Sequence, residues 1–267
     1  MQIRDMMVPI GDGIELEVRR IQHAEPKGPV LVFLHESLGS IALWRKFPEK
    51  LAKATGCDAL IYNRQGYGHS SDEELPRPHD YLETAGEQWL PRLLDKLEIR
   101  DVVLIGHSDG GSIALVTAGT MGGRVKALAT MAAHIYADHL TLAGIEEMAV
   151  RYRETLIRDR LARYHGNRTD DLFNAWQTVW RDEGFQAAMD FSRWLAAIEC
   201  PAIIIQGEND EYGVPEQVTD IVAGIGPKAR GVLLEDAGHS PHLEKQDQVV
   251  ELLYDFLRSE SVLKNCN

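Results

Sequence analysis

The sequence predicts an α/β fold, a mostly parallel doubly wound sheet with helices on both faces and one inserted helical lid. Three observations predict it. Short, continuously apolar runs alternate with longer helical patterns along the chain. The alternation stops between His134 and Glu199, where no clear strand appears, and it resumes at Pro201. The runs themselves are apolar throughout, as strands covered on both faces must be.

The elements follow in order. Gly13 to Ile21 alternates through Ile14, Leu16 and Val18 and reads as a half-exposed strand. Pro29 to His35 reads as a central strand, and Ser40 to Thr55 as a helix interrupted at Pro48. Asp58 to Tyr62 is the next strand, and Tyr81 to Leu97 a helix kinked at Pro91. Asp101 to Ile105 and Val125 to Met131 are strands flanking a helical run from Ile113. Leu140 to Tyr164, Asp170 to Arg181 and Phe185 to Ala197 are helical. Pro201 to Gln206 and Arg230 to Leu234 are strands. Pro215 to Ile225 is helical, and Gln246 to Ser259 closes the chain as an amphipathic helix. A strandless stretch of about 65 residues is too long for an unstructured loop, so it reads as a lid. The expected division is a core of 1–133 and 200–267 with a lid of 134–199.

With 267 residues, 44% of them hydrophobic, the chain can bury a large core. Its 28 basic against 41 acidic residues give a net charge of −13, which disfavours nucleic acid and anionic membranes. The first residues lack the apolar stretch of a signal peptide, and no run reaches the length of a membrane span. Cys57, Cys200 and Cys266 are far apart and odd in number. They fit a reducing cytoplasm and suggest neither a disulfide frame nor a metal site. The expectation is a cytoplasmic protein with a small-molecule partner, and the oligomeric state stays open.

Gly106-His107-Ser108-Asp109-Gly110 reads G-x-S-x-G between a strand and a helix. That context suits a nucleophile elbow, where a sharp turn exposes the serine hydroxyl. A serine needs a base, a group orienting that base, and donors for the oxyanion. Acid candidates follow Gln206 in Gly207-Glu208-Asn209-Asp210, with Asp210 in the turn, Glu208 and Glu211 beside it, and Asp138 as a placement after the preceding strand. The base candidate is His239, in the loop Gly238-His239-Ser240-Pro241-His242. His107 precedes the serine and should point away from its hydroxyl, His242 reads as a bystander, and His134 and His139 come too early in the chain order. The backbone N–H of Asp109 starts a helix, where the dipole favours an anion. The second donor is placed at Ser37, after the Pro29 to Leu34 strand.

These residues carry a resemblance. The chain is similar to the α/β-hydrolase superfamily of esterases, epoxide hydrolases and C–C hydrolases. Gly106-His107-Ser108-Asp109-Gly110-Gly111 resembles that family's G-x-S-x-G-G, and His35-Glu36-Ser37-Leu38-Gly39 its H-G-x-x-G oxyanion loop. Arg64-Gln65-Gly66-Tyr67-Gly68-His69-Ser70 resembles its R-G-x-G-x-S turn with one residue added. Gly207-Glu208-Asn209-Asp210 resembles its G-x-x-D, and Gly238 to Glu244 its G-H-x-x-x-x-E. The resemblance implies a sheet of about eight strands, a Ser108–Asp210–His239 triad, and no metal or organic cofactor. A serine at position 108 departs from the aspartate nucleophile of epoxide hydrolases and haloalkane dehalogenases. Glu36 replaces the usual glycine of the oxyanion loop. Because an unpaired buried charge is costly, it is expected to point away and bond loop backbone groups.

Glu36, His134, Trp176, Trp180 and Trp194 are the candidate pocket residues. The lid aromatics otherwise form the lid's own core. Arg151, Arg153, Arg158, Arg160 and Arg163 read as a solvated face, and one of them turned inward would select a carboxylate-bearing substrate. The expected activity is hydrolysis of a small ester or thioester through an acyl-enzyme. C–C bond hydrolysis of ring-cleavage dienones, acyl transfer and a non-catalytic ligand receptor are the alternatives.

Overall fold

The computed structural model describes residues 1–263, so Cys266 lies outside the described residues. The strands are β1 (Gln2–Gly11), β2 (Ile14–Gln22), β3 (Val30–Leu34), β4 (Ala59–Tyr62), β5 (Val102–His107), β6 (Val125–Met131), β7 (Ala202–Gly207) and β8 (Ala229–Leu234). They form one sheet in the order β1-β2-β4-β3-β5-β6-β7-β8. The β1–β2 and β2–β4 pairs are antiparallel, and every other pair is parallel.

The helices before the insertion are α1 (Phe47–Thr55), α2 (Tyr81–Thr84), α3 (Leu90–Lys96) and α4 (Asp109–Met121). Between β6 and β7 come α5 (His139–Glu154), α6 (Ile157–His165), α7 (Thr169–Arg181), α8 (Glu183–Ala188) and α9 (Ser192–Ala197). The last three are α10 (Glu216–Ile225), α11 (Pro241–Glu244) and α12 (Gln246–Ser259).

Side chains alternate across a strand, so each central strand feeds two cores. Leu31, Phe33, Val103, Ile105 and Ile203 pack on one face with Phe47 and Leu51 of α1 and Leu253 and Phe256 of α12. Val32, Leu34, Leu104 and Ile204 pack on the other with Leu93, Ile113, Leu195 and Ile221 from α3, α4, α9 and α10. Burial on both faces is why these strands read as unbroken apolar runs. Each such side chain contributes on the order of 2 kcal/mol.

The chain leaves β3 for β4 on one side and returns to β5 on the other. A crevice therefore opens beyond the carboxyl ends of β3 and β5, the position where open α/β sheets bind ligands. In the insertion, Tyr152 stacks on Phe173 at 3.7 Å between centroids and its hydroxyl donates to Asp170 Oδ1 at 2.6 Å, which locks α5 to α7.

Several local expectations change, and the helix expected over Leu140 to Tyr164 divides into α5 and α6. β1 is an added edge strand whose buried residues are Val8 and Ile10, a pattern too thin for periodicity to reveal. The helix expected over Ser40 to Thr55 divides into a 3₁₀ turn, Ile41–Trp44, and α1. Pro48 starts α1 rather than interrupting it, since its missing N–H falls in the first turn. Pro91 likewise sits in the first turn of α3, after a π-turn over Ala85–Trp89 that accommodates the proline without its usual clash. Phe185 to Ala197 breaks into α8 and α9.

Candidate active site

Ser108 stands between β5 and α4 with φ 52° and ψ −123°, a left-handed conformation that non-glycine residues rarely hold. A Cβ added at Gly106 would collide with the Gly110 carbonyl, and one at Gly110 would collide with the Leu34 carbonyl. The G-x-S-x-G pattern is thus a steric requirement of the turn. The Ser108 N–H donates to Met131 O at 2.9 Å and ties the turn to β6.

Asp210 and His239 follow β7 and β8. Asp210 Oδ1 lies 2.8 Å from His239 Nδ1 and also accepts the Tyr212 N–H at 2.9 Å. Burial alone would raise the Asp210 carboxyl, but the His239 charge and bond hold it below the usual carboxylate range. Burial opposes protonation of His239, yet Asp210 wins and raises it above the ordinary histidine value. The His239 loop is clamped by Glu244, which accepts from Gly238 N at 2.7 Å and Ser240 N at 3.0 Å, and by Glu211, which accepts from His239 N at 3.3 Å. A Cβ at Gly207 would strike the Ala237 carbonyl, so β7 and this loop fit only with glycine there.

Asp138 is engaged elsewhere. Its Oδ1 caps α5 by accepting from Leu140 N and Thr141 N at 2.9 and 3.0 Å. Its Oδ2 accepts from Val214 N and Gln217 Nε2 at 3.1 and 3.0 Å.

The loop after β3 is held by buried polar groups. Burial and the neighbouring Arg64 push His35 down to about 3, so the ring is neutral. Its Nδ1–H donates to Glu36 O at 2.7 Å and its Nε2 accepts from Arg64 N at 3.1 Å. Arg64 Nη2 donates to Glu36 O at 2.9 Å, and the Tyr67 hydroxyl donates to Ser37 O at 2.6 Å. With both carbonyls held, the orientation of the intervening amides is fixed. Asp109 heads α4, where first-turn N–H groups have no helical carbonyl behind them. Its buried carboxylate accepts from Tyr81 Oη at 2.9 Å and from Arg64 at 3.4 Å, and Trp180 Nε1 donates to the same tyrosine oxygen at 2.9 Å.

Glu36 departs from expectation. Its carboxylate folds over Gly39, where any side chain would collide with it, and lies 3.5 Å from His107 Nδ1. Burial would raise it, but His107 and His35 hold it well below the usual carboxylate range. His107 in turn donates its Nε2–H to the His239 carbonyl at 2.8 Å. The ring expected to point away therefore lies beneath the His239 loop and supports it. His242 is buried beside it, with ring centroids 4.6 Å apart.

Ser108, Asp109, Ser37, Glu36, His107, His134 and His239 all border one cavity of about 340 Å³. Its far wall comes from the insertion: Ile145 and Met148 of α5, Ile157 and Leu161 of α6, Trp176 and Trp180 of α7. His134 donates from Nε2 to Tyr212 O at 2.9 Å, and burial lowers its proton affinity. Trp194 is a correction to the expected pocket. It packs over Gly119 of α4 and donates Nε1 to Glu87 at 2.9 Å, outside the cavity lining, because α9 covers the sheet helices rather than the crevice. His139 is likewise not a lining residue. Arg64, Tyr67, Tyr81 and Tyr212 are supporting groups that sequence reasoning missed. The R-x-G-Y turn was visible, but not its reach to the His35 to Gly39 loop.

Cys57 and Cys200 are buried free thiols. Among the described residues no three His, Cys, Asp or Glu side chains are placed to hold a metal ion, and no helix is long and apolar enough to cross a membrane.

Comparison with known proteins fits this arrangement. Human serine hydrolase BPHL is 27% identical over 207 residues, spanning 74% of this chain and 69% of its own. The proline iminopeptidase of Lactobacillus crispatus is 26% identical over 289 residues, spanning 92% of this chain and 95% of its own. Among solved structures, the enol-lactonase of Burkholderia xenovorans superposes with a TM-score of 0.74 at 21% identity, covering 94% of this chain and 99% of that one. The sequence profile of the alpha/beta hydrolase family matches residues 31–252. With the sheet order, the elbow and that match in agreement, the chain belongs to the alpha/beta hydrolase family and is a hydrolase.

Proposed function

We propose that the protein is a serine hydrolase that cleaves a small carboxylic ester or thioester through an acyl-enzyme on Ser108. The observation that carries this reading is that His239, held by Asp210 at 2.8 Å, borders the same cavity as the strained Ser108. His239 takes the Ser108 proton as Oγ attacks the substrate carbonyl carbon. The carbonyl π electrons move to oxygen, and the N–H groups of Ser37 and Asp109 stabilise that oxyanion. Collapse reforms the carbonyl and breaks the bond to the alcohol or thiol, which leaves with the proton from His239. Water then attacks the acyl-serine, again losing a proton to His239, and Ser108 departs with that proton as the acid is released. Asp210 fixes the His239 tautomer, with Nδ1–H toward the carboxylate and Nε2 available to the serine. Residues 134–199 act as the lid, and their apolar wall and the small cavity suit a short, largely apolar substrate.

Turnover of p-nitrophenyl acetate by the purified protein, compared with Ser108→Ala, tests the reading. Activity in the parent and its loss in the variant are expected. Equal activity in the two would overturn it.

A further inference from the structure

Of the five arginines on α5 and α6, Arg151 alone borders the cavity. Arg158 is committed to Asp170, donating from Nε at 2.9 Å. Arg153, Arg160 and Arg163 are exposed and absent from the cavity wall. Arg151 belongs to one helical face with Thr141, Ile145 and Met148, the spacing that lines residues along a single side of α5. Thr141 is anchored beside the Asp210–His239 pair, since its hydroxyl donates to Tyr212 O at 2.7 Å. At 1.5 Å of rise per residue, Arg151 lies about 15 Å further along the helix. Along α5 the cavity wall therefore passes from Thr141 past Ile145 and Met148 to Arg151, with Ile157 and Leu161 contributed by α6.

The charges around this wall are unequal. The Glu36 and Glu211 carboxylates border the cavity from the core, and Arg151 borders it from the C-terminal part of α5. Among the described residues the ion-pair contact of Arg151 is Glu147 at 4.0 Å, with both side chains more than half exposed. An exposed pair at that separation contributes little and competes weakly with a ligand. A planar guanidinium offers a fork of donors that matches a carboxylate, whereas an anion placed among the apolar side chains or near Glu36 would be unpaired.

We propose that Arg151 is a specificity-determining residue and that the enzyme prefers small esters carrying a carboxylate remote from the scissile carbonyl. The proposal rests on Ser108 being the nucleophile. The Glu36 and Glu211 carboxylates repel an anion close to the reacting carbon, so the preference should require a spacer that reaches Arg151.

The test compares kcat/KM in two arms. One uses monomethyl esters of unbranched dicarboxylic acids of roughly four to nine carbons, a series that brackets what remains of the helix rise once the Arg151 side chain reaches inward, against methyl esters of the matching monocarboxylic acids. The other uses acetate esters of ω-hydroxy carboxylic acids against acetates of plain alcohols, and so tells which side of the ester carries the anion. A charged-to-neutral preference of about tenfold, peaking at intermediate length and residing in KM, is expected in one arm. Arg151→Met should lower that ratio about tenfold, Arg151→Lys should retain part of it, and Arg160→Gln should leave it unchanged. Neutral esters preferred at every length in both arms, or a ratio that Arg151→Met leaves intact, would overturn the assignment while Ser108-dependent turnover still stands. Turnover that survives Ser108→Ala would overturn both readings.

Discussion

The floor and the roof of the cavity are built on different principles. The floor consists of the Ser108 turn, the His35 to Gly39 loop and the Asp210–His239 pair. Each part has little steric freedom. Ser108 sits at φ 52°, Gly106 and Gly110 admit no side chain, and Glu36 fills the space that Gly39 leaves open. The roof consists of α5, α6 and α7, which present Ile145, Met148, Ile157, Leu161, Trp176 and Trp180. No residue there is required by backbone geometry, and another apolar side chain of similar volume could serve. On the proposed reading the floor sets the chemistry and the roof sets the substrate. Floor substitutions should act on kcat, and roof substitutions on KM.

The largest expected effect is at Ser108, the proposed nucleophile. Ser108→Ala should lower kcat by up to about a million-fold, leaving only what oxyanion binding and positioning supply. Stopped assays on freshly purified variant would read it. Asp210→Asn should follow, with a loss on the order of ten-thousand-fold, since the amide favours the wrong tautomer of His239. The sign of its pH effect is fixed. His239 must be neutral to act as base, and Asp210 raises its proton affinity, so the acid limb of kcat/KM lies above the ordinary histidine value in the parent. The variant should move that limb to lower pH.

Glu36→Gln is predicted to be intermediate, with about tenfold lost in kcat and KM nearly unchanged. The Glu36 charge also favours protonated His239, so this variant too should shift the acid limb downward, and by less than Asp210→Asn. A limb that stays in place would limit Glu36 to a purely structural role. The smallest effect belongs to the roof. Trp180→Phe deletes the Nε1–H bond to Tyr81 Oη, with about 1 kcal/mol lost in denaturant unfolding and a change of a few-fold confined to KM. A kcat loss comparable with that of Glu36→Gln would break the division between floor and roof.

The same division explains what could be read in the sequence. Gly106-x-Ser108-x-Gly110 was legible because its chemistry requires a particular backbone, and only a few residue types tolerate that backbone. The central strands were legible because burial on both faces leaves apolar runs. β1 was not, because an edge strand with two buried side chains lacks periodicity. Glu36 could be flagged as unusual but not placed, since its partner His107 is distant in sequence and adjacent only after β3 and β5 pair. Trp176 and Trp194 could not be told apart by sequence. Both are buried lid tryptophans, and the docking of α7 over the crevice and α9 over α4 decides which one meets a ligand. Arg151 is separated from its neighbours on the lid by helix rotation alone.

The most direct test of the account is covalent labelling of the intact protein with a fluorophosphonate, followed by peptide mass spectrometry, in parallel with His239→Ala. A single adduct on Ser108 and a greatly slowed reaction in the variant are expected. Catalytic activity with no adduct on Ser108, or labelling at equal rate without His239, would contradict it.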